Sequence, residues 1–177
     1  MDKEPKNINL SIPHYVDTSV AVKLVVAEDE SECLRDYLLK KWSYDFYITE
    51  FAFYETLCVL KRKLEKKCID EQGYHLAVAK LVAYLDDNSL QIDSDFRLDN
   101  FRVLLEVGEL AKKHSLDYSD ALQIYIVLKG RWSGELAECT AVFVTADRKL
   151  AEAARGEGMR VWYPPEEVNP PAWDESK

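Results

Sequence analysis

Short apolar runs alternate with longer amphipathic segments along most of the chain. The first apolar run ends at Val16, the polar triplet Asp17-Thr18-Ser19 follows it, and a second apolar run covers residues 20–26. A short β-prone run followed by a run long enough for a helix predicts a strand that passes directly into a helix. Such a pair is typical of the opening unit of an α/β sheet, in which ligands gather at the carboxyl ends of the strands.

The rest of the chain repeats this pattern. Further strands are predicted at residues 46–48, 90–92, 141–144 and 159–163, and helices at residues 29–42, 49–67, 70–85, 98–114, 122–128 and 148–155. Strands that alternate with amphipathic helices favour a parallel sheet whose two faces are covered. We therefore predict a single α/β domain over residues 12–163, and we expect the polar segment 1–11 and the proline-containing segment 164–177 to be flexible tails.

Composition narrows the class of protein. The formal net charge of −9 argues against a protein that coats nucleic acid nonspecifically, because that task needs a basic face. An enzyme that acts on nucleic acid is still compatible, since a divalent metal in an acidic site attracts phosphate locally. The four cysteines are scattered, the polar N-terminus does not resemble a secretory signal, and no stretch approaches the roughly 20 apolar residues of a membrane span. We expect a cytoplasmic protein with reduced thiols and no membrane association.

Two acidic residues follow predicted strands. Asp17 comes directly after the first strand, and Asp147 comes after the strand at 141–144 and the dipeptide Thr145-Ala146. Because the carboxyl ends of parallel strands meet at one edge of a sheet, both carboxylates are predicted to lie at that edge. Each is also well suited to cap a helix, since an aspartate accepts hydrogen bonds from the N–H groups of a first turn.

Two more acidic residues, Glu55 and Asp120, lie near the starts of helices that are predicted to cover the sheet. Glu55 shares a helix face with the apolar residues one turn before and after it, at 51–52 and 58–59, so we expect this carboxylate to lie among core residues. Asp120 precedes a helical run that is nearly all apolar. Asp117 is interpreted as the N-cap of that helix, with Asp120 at its third position.

Four carboxylates at one sheet edge repel one another unless a cation neutralises them. Oxygen-rich sites of this kind bind hard divalent cations such as Mg²⁺ and Mn²⁺. One such ion would activate a water molecule, and a second would stabilise the leaving oxygen of a phosphodiester. The acids therefore indicate metal-dependent phosphodiester cleavage.

The same segments resemble those of PIN-domain nucleases, most closely the single-domain toxins of VapC type. The matching segments are Val16-Asp17-Thr18-Ser19, Glu55 in its helix, Ser119-Asp120-Ala121 and residues 144–150. The resemblance rests on their order and structural settings together, and it extends from about Ile12 to Tyr163.

The resemblance implies a three-layer α/β/α sandwich with a central parallel sheet of about five strands. The acidic tetrad that would bind Mg²⁺ or Mn²⁺ and cleave RNA corresponds to Asp17, Glu55, Asp120 and Asp147. The hydroxyl groups that would orient ligands or water correspond to Thr18, Ser19 and Thr145. The resemblance also implies an endoribonuclease, a homodimer and, if the chain is the toxin of a toxin–antitoxin pair, a small antitoxin protein as partner. Aromatic residues between Trp42 and Tyr54 are candidates for a dimer interface if they are exposed.

Other functions fit the pattern less well. An aspartyl-phosphate phosphatase needs a second acid two residues after its nucleophile, where this chain has Ser19, and a phosphoacceptor receiver domain needs two adjacent acids after its first strand. A catalytically inactive PIN-like module that binds RNA or a protein is the main alternative, but such a module has no need for four repelling acids. Basic residues at 61–67 and 148–149 either contact a phosphate backbone or only solvate exposed helix surfaces.

Overall fold

The chain folds into strands and helices in strict succession. A computed structural model describes residues 12–40, 44–94, 100–131 and 141–167. The strands in this part of the chain are β1 (Ile12–Val16), β2 (Tyr44–Thr49), β3 (Gln91–Asp93), β4 (Val142–Val144) and β5 (Arg160–Trp162). The helices are α1 (Thr18–Val25), α2 (Ser31–Lys40), α3 (Glu50–Glu65), α4 (Glu71–Asp86), α5 (Phe101–His114), α6 (Tyr118–Lys129) and α7 (Arg148–Gly156). Every predicted element is present, with boundaries that differ by a few residues.

The five strands form one parallel sheet in the order β3-β2-β1-β4-β5. β1 pairs with β2 on one side and with β4 on the other. The chain first builds outward from β1 through β2 to β3, and it then crosses over to build β4 and β5. The two directions of winding meet between β1 and β4, which is where ligands bind in open α/β sheets. The predicted parallel sheet is therefore confirmed.

Helices cover both faces of this sheet. α1 to α4 pack on one face against side chains such as Val16 and Trp162. α5 to α7 pack on the other face against side chains such as Tyr15 and Phe143. Tyr15 and Val16 are adjacent and are 2% and 3% exposed, yet they belong to different cores, because successive side chains of a strand point to opposite faces. These two cores confirm the three-layer α/β/α sandwich.

Polar side chains determine where most helices begin. The residues that cap a helix by accepting a hydrogen bond from its first turn are Asp17, Thr49, Asp70, Asn100, Asp117 and Asp147. Because Asp17 caps α1 directly, this helix begins at Thr18 and not at the apolar run that starts at residue 20. α7 ends before Gly158, whose φ of +80° is a conformation that glycine adopts without strain.

The segment after β5 is attached to the domain over its first residues. Glu167 accepts hydrogen bonds from the Trp162 indole at its carbonyl (3.0 Å) and from the Tyr163 N–H at its side chain (2.8 Å). It also pairs with Arg155 at 2.6 Å. Of the tail expected over residues 164–177, residues 164–167 are described and Glu167 is held against the domain, whereas residues 168–177 lie outside the described residues, as does the segment 1–11. None of the described helices is both long enough and apolar enough to cross a membrane.

Candidate active site

Asp17 lies at the carboxyl end of β1, at the switch point of the sheet. Its backbone N–H donates to the carbonyl of Val144 on the neighbouring strand (3.0 Å). Its carboxylate accepts a hydrogen bond from the Val20 N–H (2.9 Å), and the residue is 3% exposed. Asp17 therefore caps α1 as expected, and the cap holds its carboxylate at the edge of the sheet.

Hydroxyl groups connect Asp17 to the end of β4. The Thr145 hydroxyl donates to Asp17 Oδ2 (2.8 Å) and accepts a hydrogen bond from the Asp147 N–H (3.0 Å). The Ser19 hydroxyl donates to Asp17 Oδ1 (2.7 Å) and accepts from the Ala146 N–H (2.9 Å). Asp147 in turn caps α7. Thr145 thus joins Asp17 to the backbone of Asp147, and Ser19 joins Asp17 to the preceding residue, Ala146.

Glu55 reaches the same place from α3. Its Oε2 atom accepts hydrogen bonds from the Thr18 hydroxyl (2.6 Å) and from the Gln123 side-chain amide (3.3 Å). Gln123 is 2% exposed and was not predicted from the sequence. The available signal was its position, because it is a polar residue inside an otherwise apolar helical run, one turn after Asp120.

The predicted surroundings of Glu55 are wrong in part. The buried stripe of α3 consists of Ala52, Thr56 and Leu60, whereas Cys58 is exposed. Residues four apart follow the helical period of 3.6 residues closely, so a stripe that starts at Ala52 turns Cys58 away from the core. Glu55 is half-buried and lies beside this stripe, not within it.

Asp120 lies in the first turn of α6, where its N–H donates to the capping carboxylate of Asp117 (2.9 Å). Burial raises the pKa of Asp120 to about 7, and the negative charges of Asp117, Asp147, Asp17 and Glu55 add to the shift. Burial also raises the pKa of Asp17 to about 6, although its hydrogen bonds oppose that shift. In the metal-free protein, Asp120 therefore feels the repulsion of all three other predicted acids.

These groups line one cleft of about 360 Å³. All four predicted acids belong to its lining, and the other polar lining residues are Thr18, Ser19, Lys23, Glu28, Lys63 and Gln123. Thr145 is fully buried and acts on the cleft only through Asp17 and Asp147. Asp117 does not line the cleft and is the N-cap of α6, as predicted.

Not every acid at the carboxyl edge of the sheet joins this cleft. Asp93 ends β3 and is 5% exposed, but its carboxylate accepts a hydrogen bond from the Tyr15 hydroxyl. It lines a different depression. The acids that line the cleft therefore lie near the switch point, and Asp93 is not among them.

The donor set fits a hard divalent cation. Carboxylate and hydroxyl oxygens are the ligands that such ions prefer. Burial raises the pKa values of Asp17 and Asp120, the neighbouring acids raise that of Asp120 further, and a bound cation would stabilise the charged form of both. Among the described residues, no three acidic, histidine or cysteine side chains converge closely enough to enclose an ion. Water molecules would therefore complete the coordination, which is the usual arrangement for Mg²⁺ in proteins.

Most lysine and arginine side chains around the cleft are already paired with carboxylates. The pairs are Lys23–Glu30 (2.9 Å), Lys63–Glu28, Lys61–Glu65 (2.7 Å) and Arg148–Glu166. Three of these cations belong to the two basic segments singled out as possible phosphate contacts. This pairing favours the simpler interpretation of these three residues, in which they keep exposed helix surfaces hydrated and do not contact phosphate.

Comparisons with known proteins identify relatives of the fold. A family model described as the PIN domain matches residues 14–156, which is most of the chain. The crystal structure of PAE2754 from Pyrobaculum aerophilum is similar to this one with a TM-score of 0.55 and 21% sequence identity, over 88% of this chain and 90% of that chain. At this identity the likeness shows a shared fold. No curated protein sequence matches the chain.

Proposed function

The chain belongs to the PIN-domain family, whose members are generally nucleases, and on this premise we propose that it is a metal-dependent endoribonuclease. The residues proposed to hold Mg²⁺ or Mn²⁺ are Asp17, Glu55, Asp120 and Asp147. The observation that carries the proposal is the cleft at the switch point, which is lined by carboxylates from four distant segments. A bound divalent ion would supply activated water and would stabilise the leaving oxygen of the phosphodiester.

The other polar residues of the cleft have positioning roles in this proposal. Ser19 and Thr145 hold both carboxylate oxygens of Asp17 in place, so that the side chain cannot rotate away from the cleft. Thr18 and Gln123 do the same for one oxygen of Glu55. Ligands that are fixed in this way before the ion binds lose less conformational freedom on binding it.

A catalytically inactive module is the less favoured function. A protein that only binds RNA or another protein has no need for an acid such as Asp120, whose pKa is raised by burial and by the charges of neighbouring acids. Neutral residues could cap helices equally well at Asp17 and Asp147. The raised pKa of Asp120 therefore favours a site that binds a cation over a passive surface.

Purified protein should cut single-stranded RNA in the presence of Mg²⁺ or Mn²⁺ and should stop in excess chelator. The matched control is Asp117→Asn, which removes a charge at a helix cap outside the cleft and should keep the activity. Gel analysis of a mixed RNA pool measures cleavage by the parent with and without chelator and cleavage by Asp117→Asn. Cleavage that continues at an undiminished rate in excess chelator would contradict the metal-dependent mechanism.

We also propose a homodimer and, in the cell, a toxin role with a small antitoxin as partner. Within the predicted aromatic segment, Phe46 and Tyr47 are buried in the core and Trp42 lies outside the described residues, whereas Tyr54 is 59% exposed and stays a candidate for the interface. A better candidate surface is on α5, where exposed apolar residues share one helix face with an open position at Gly108. These residues and their exposed fractions are Phe101 (72%), Leu104 (42%) and Leu105 (56%).

Light scattering at micromolar concentration should give the mass of a dimer for the parent and of a monomer for Leu105→Glu. Burying the introduced carboxylate in an apolar interface is strongly unfavourable, whereas the same residue on an exposed surface is tolerated. Leu76→Glu on α4 is the matched control, because Leu76 is also exposed (53%) but lies on another helix. A monomer mass for the parent would contradict the dimer. Expression that is harmless without any partner would remove the support for the toxin role.

A further inference from the structure

A groove continues from the acidic cleft along α3. Glu55 lines both the cleft and a neighbouring groove of about 400 Å³. The other residues that line this groove are Phe51, Tyr54, Cys58 and Arg62, and we refer to it as the aromatic groove. Phe51 and Tyr54 also line a third depression of about 270 Å³, which reaches Ser94 at the end of β3. The aromatic groove is therefore adjacent to the cleft at Glu55 and to the third depression at Phe51 and Tyr54.

The aromatic groove offers an exposed aromatic ring and an exposed arginine side chain. Tyr54 is 59% exposed, which is unusual for a large aromatic side chain in the middle of a helix turn that also carries core residues. Arg62 lies two turns further along α3 and is exposed. Its neighbours Lys61 and Lys63 pair with carboxylates, but Arg62 forms no ion pair with any residue that the structure describes.

We propose that the aromatic groove is a subsite for single-stranded RNA, in which a base stacks on Tyr54 and a phosphate of the same strand contacts Arg62. This inference rests on the proposed nuclease function and extends it to the part of the substrate beside the cleaved bond. Stacking on an aromatic ring needs a base that is free of its duplex partner, and it tolerates any base because every base has a π face. A guanidinium matches the geometry of a phosphate.

The negative charge of the protein explains why RNA binding would need contacts such as those in the groove. The cleft carries several carboxylates and the whole chain has a net charge of −9, so a phosphate backbone has no general attraction to this protein. Binding energy for the substrate must therefore come from local contacts. The basic residue that lines the groove is Arg62, in the second half of α3, and Lys66 and Lys67 follow directly after this helix.

The test measures RNA affinity without cleavage and cleavage in parallel. In a background of Asp120→Asn, fluorescence anisotropy with a single-stranded RNA oligonucleotide should show that Tyr54→Ala binds about tenfold more weakly, while Tyr54→Phe keeps the affinity because it keeps the ring. In the otherwise unchanged enzyme, Tyr54→Ala should raise KM by a similar factor and leave kcat nearly unchanged. Leu76→Ala, which changes an equally exposed residue on α4, should alter neither quantity.

Duplex RNA of the same sequence separates stacking from general electrostatics. Tyr54→Ala should leave its affinity unchanged, because paired bases do not offer a face to the ring. Arg62→Gln should lower the number of counterions released on single-strand binding by about one, as measured from the slope of log affinity against log salt concentration. Lys61→Gln should lower this number by less, because Glu65 already pairs with Lys61.

The outcomes distinguish this subsite from the nuclease assignment itself. If the parent cleaves RNA but Tyr54→Ala keeps its affinity and its KM, the subsite is wrong and the nuclease function stands. If Tyr54→Ala changes the mass in light scattering and not the RNA affinity, the groove is a contact between two copies of the chain and the subsite is again wrong. If the parent neither binds nor cleaves RNA, both proposals fail.

Discussion

Asp120→Asn should lower RNA cleavage by roughly 100-fold or more, while the metal-free protein becomes as stable as the parent or more stable at pH 8. The amide retains the size of the side chain but removes a metal ligand and a charge that repels Asp17, Glu55 and Asp147. Relief of this repulsion is worth about 1–2 kcal/mol once screening at a half-buried site is considered, or about 2–8 °C in the melting temperature of a chain of this length. Loss of activity together with a gain in stability is the opposite of what a structural role predicts.

The same two acids should make the metal-free protein less stable as the pH rises. Asp120 and Asp17 have pKa values of about 7 and about 6 in the folded protein, above the ordinary value of 3.8. The folded state therefore binds these protons more tightly than the unfolded chain does. Their contribution to stability is fully present below pH 3.8 and is lost as the pH rises through 6 and 7. In metal-free protein, the melting temperature of the parent should fall more steeply than that of Asp120→Asn between pH 5 and pH 8.

With a divalent metal present, the parent should become more stable than the variants that lack a metal ligand. Mn²⁺ binds the folded parent and stabilises it by mass action, whereas Asp120→Asn and Glu55→Gln should gain much less stability from the same concentration. Asp117→Asn is the control, since asparagine caps a helix about as well as aspartate and Asp117 does not line the cleft. Thermal melts with and without Mn²⁺ measure the parent, these three variants and Asp17→Asn. An unchanged Mn²⁺-induced shift in both Asp120→Asn and Asp17→Asn would rule out the acidic tetrad.

Thr145→Val should lower activity by roughly 10–100-fold and should destabilise the protein by about 1–3 kcal/mol, although Thr145 does not line the cleft. Valine has nearly the same shape, but it lacks the hydroxyl that donates to Asp17 and accepts from the Asp147 N–H. The pKa of Asp17 should rise further, because a hydrogen bond to its charged form is lost. The Asp147 N–H, whose hydrogen bond is partly buried, also loses this partner.

Thr145→Ser separates the hydroxyl from the shape of the side chain. Serine keeps the hydroxyl and loses a buried methyl group, so it should be less stable than the parent but should keep most of the activity. The measurements are kcat/KM and the Mn²⁺-induced shift in melting temperature. Parent-like activity and an unchanged Mn²⁺ response in Thr145→Val would show that Thr145 only packs beneath the cleft.

The paired basic residues illustrate why surface function is hard to predict from a sequence. A cluster of cations at 61–67 has the composition of a phosphate-binding surface. In the folded chain, Lys63 is paired with Glu28, 35 positions away, whereas Arg62 is exposed and lines the aromatic groove. Whether a charge is available depends on which acids the fold brings next to it, and that information is not local.

Local patterns were sufficient for the elements and for the positions of the acids within them. Hydrophobic periodicity and capping residues act over a few neighbouring positions, so the strand that ends before Asp17 and the helix capped by Asp117 could be predicted directly. The parallel sheet followed from the alternation of strands and helices, and with it the common edge at which Asp17 and Asp147 lie.

Contacts across the cleft depended on the tertiary structure. Thr145 and Asp17 are 128 positions apart, and Gln123 and Glu55 are 68 positions apart, yet each pair forms a hydrogen bond. These contacts exist because β4 lies beside β1 in the sheet, where helices cover both faces. No local sequence preference specifies which strand becomes the neighbour of β1. The residue types and edges were therefore readable along the chain, whereas the partners of each carboxylate were decided by strand order and by packing on the two faces of the sheet.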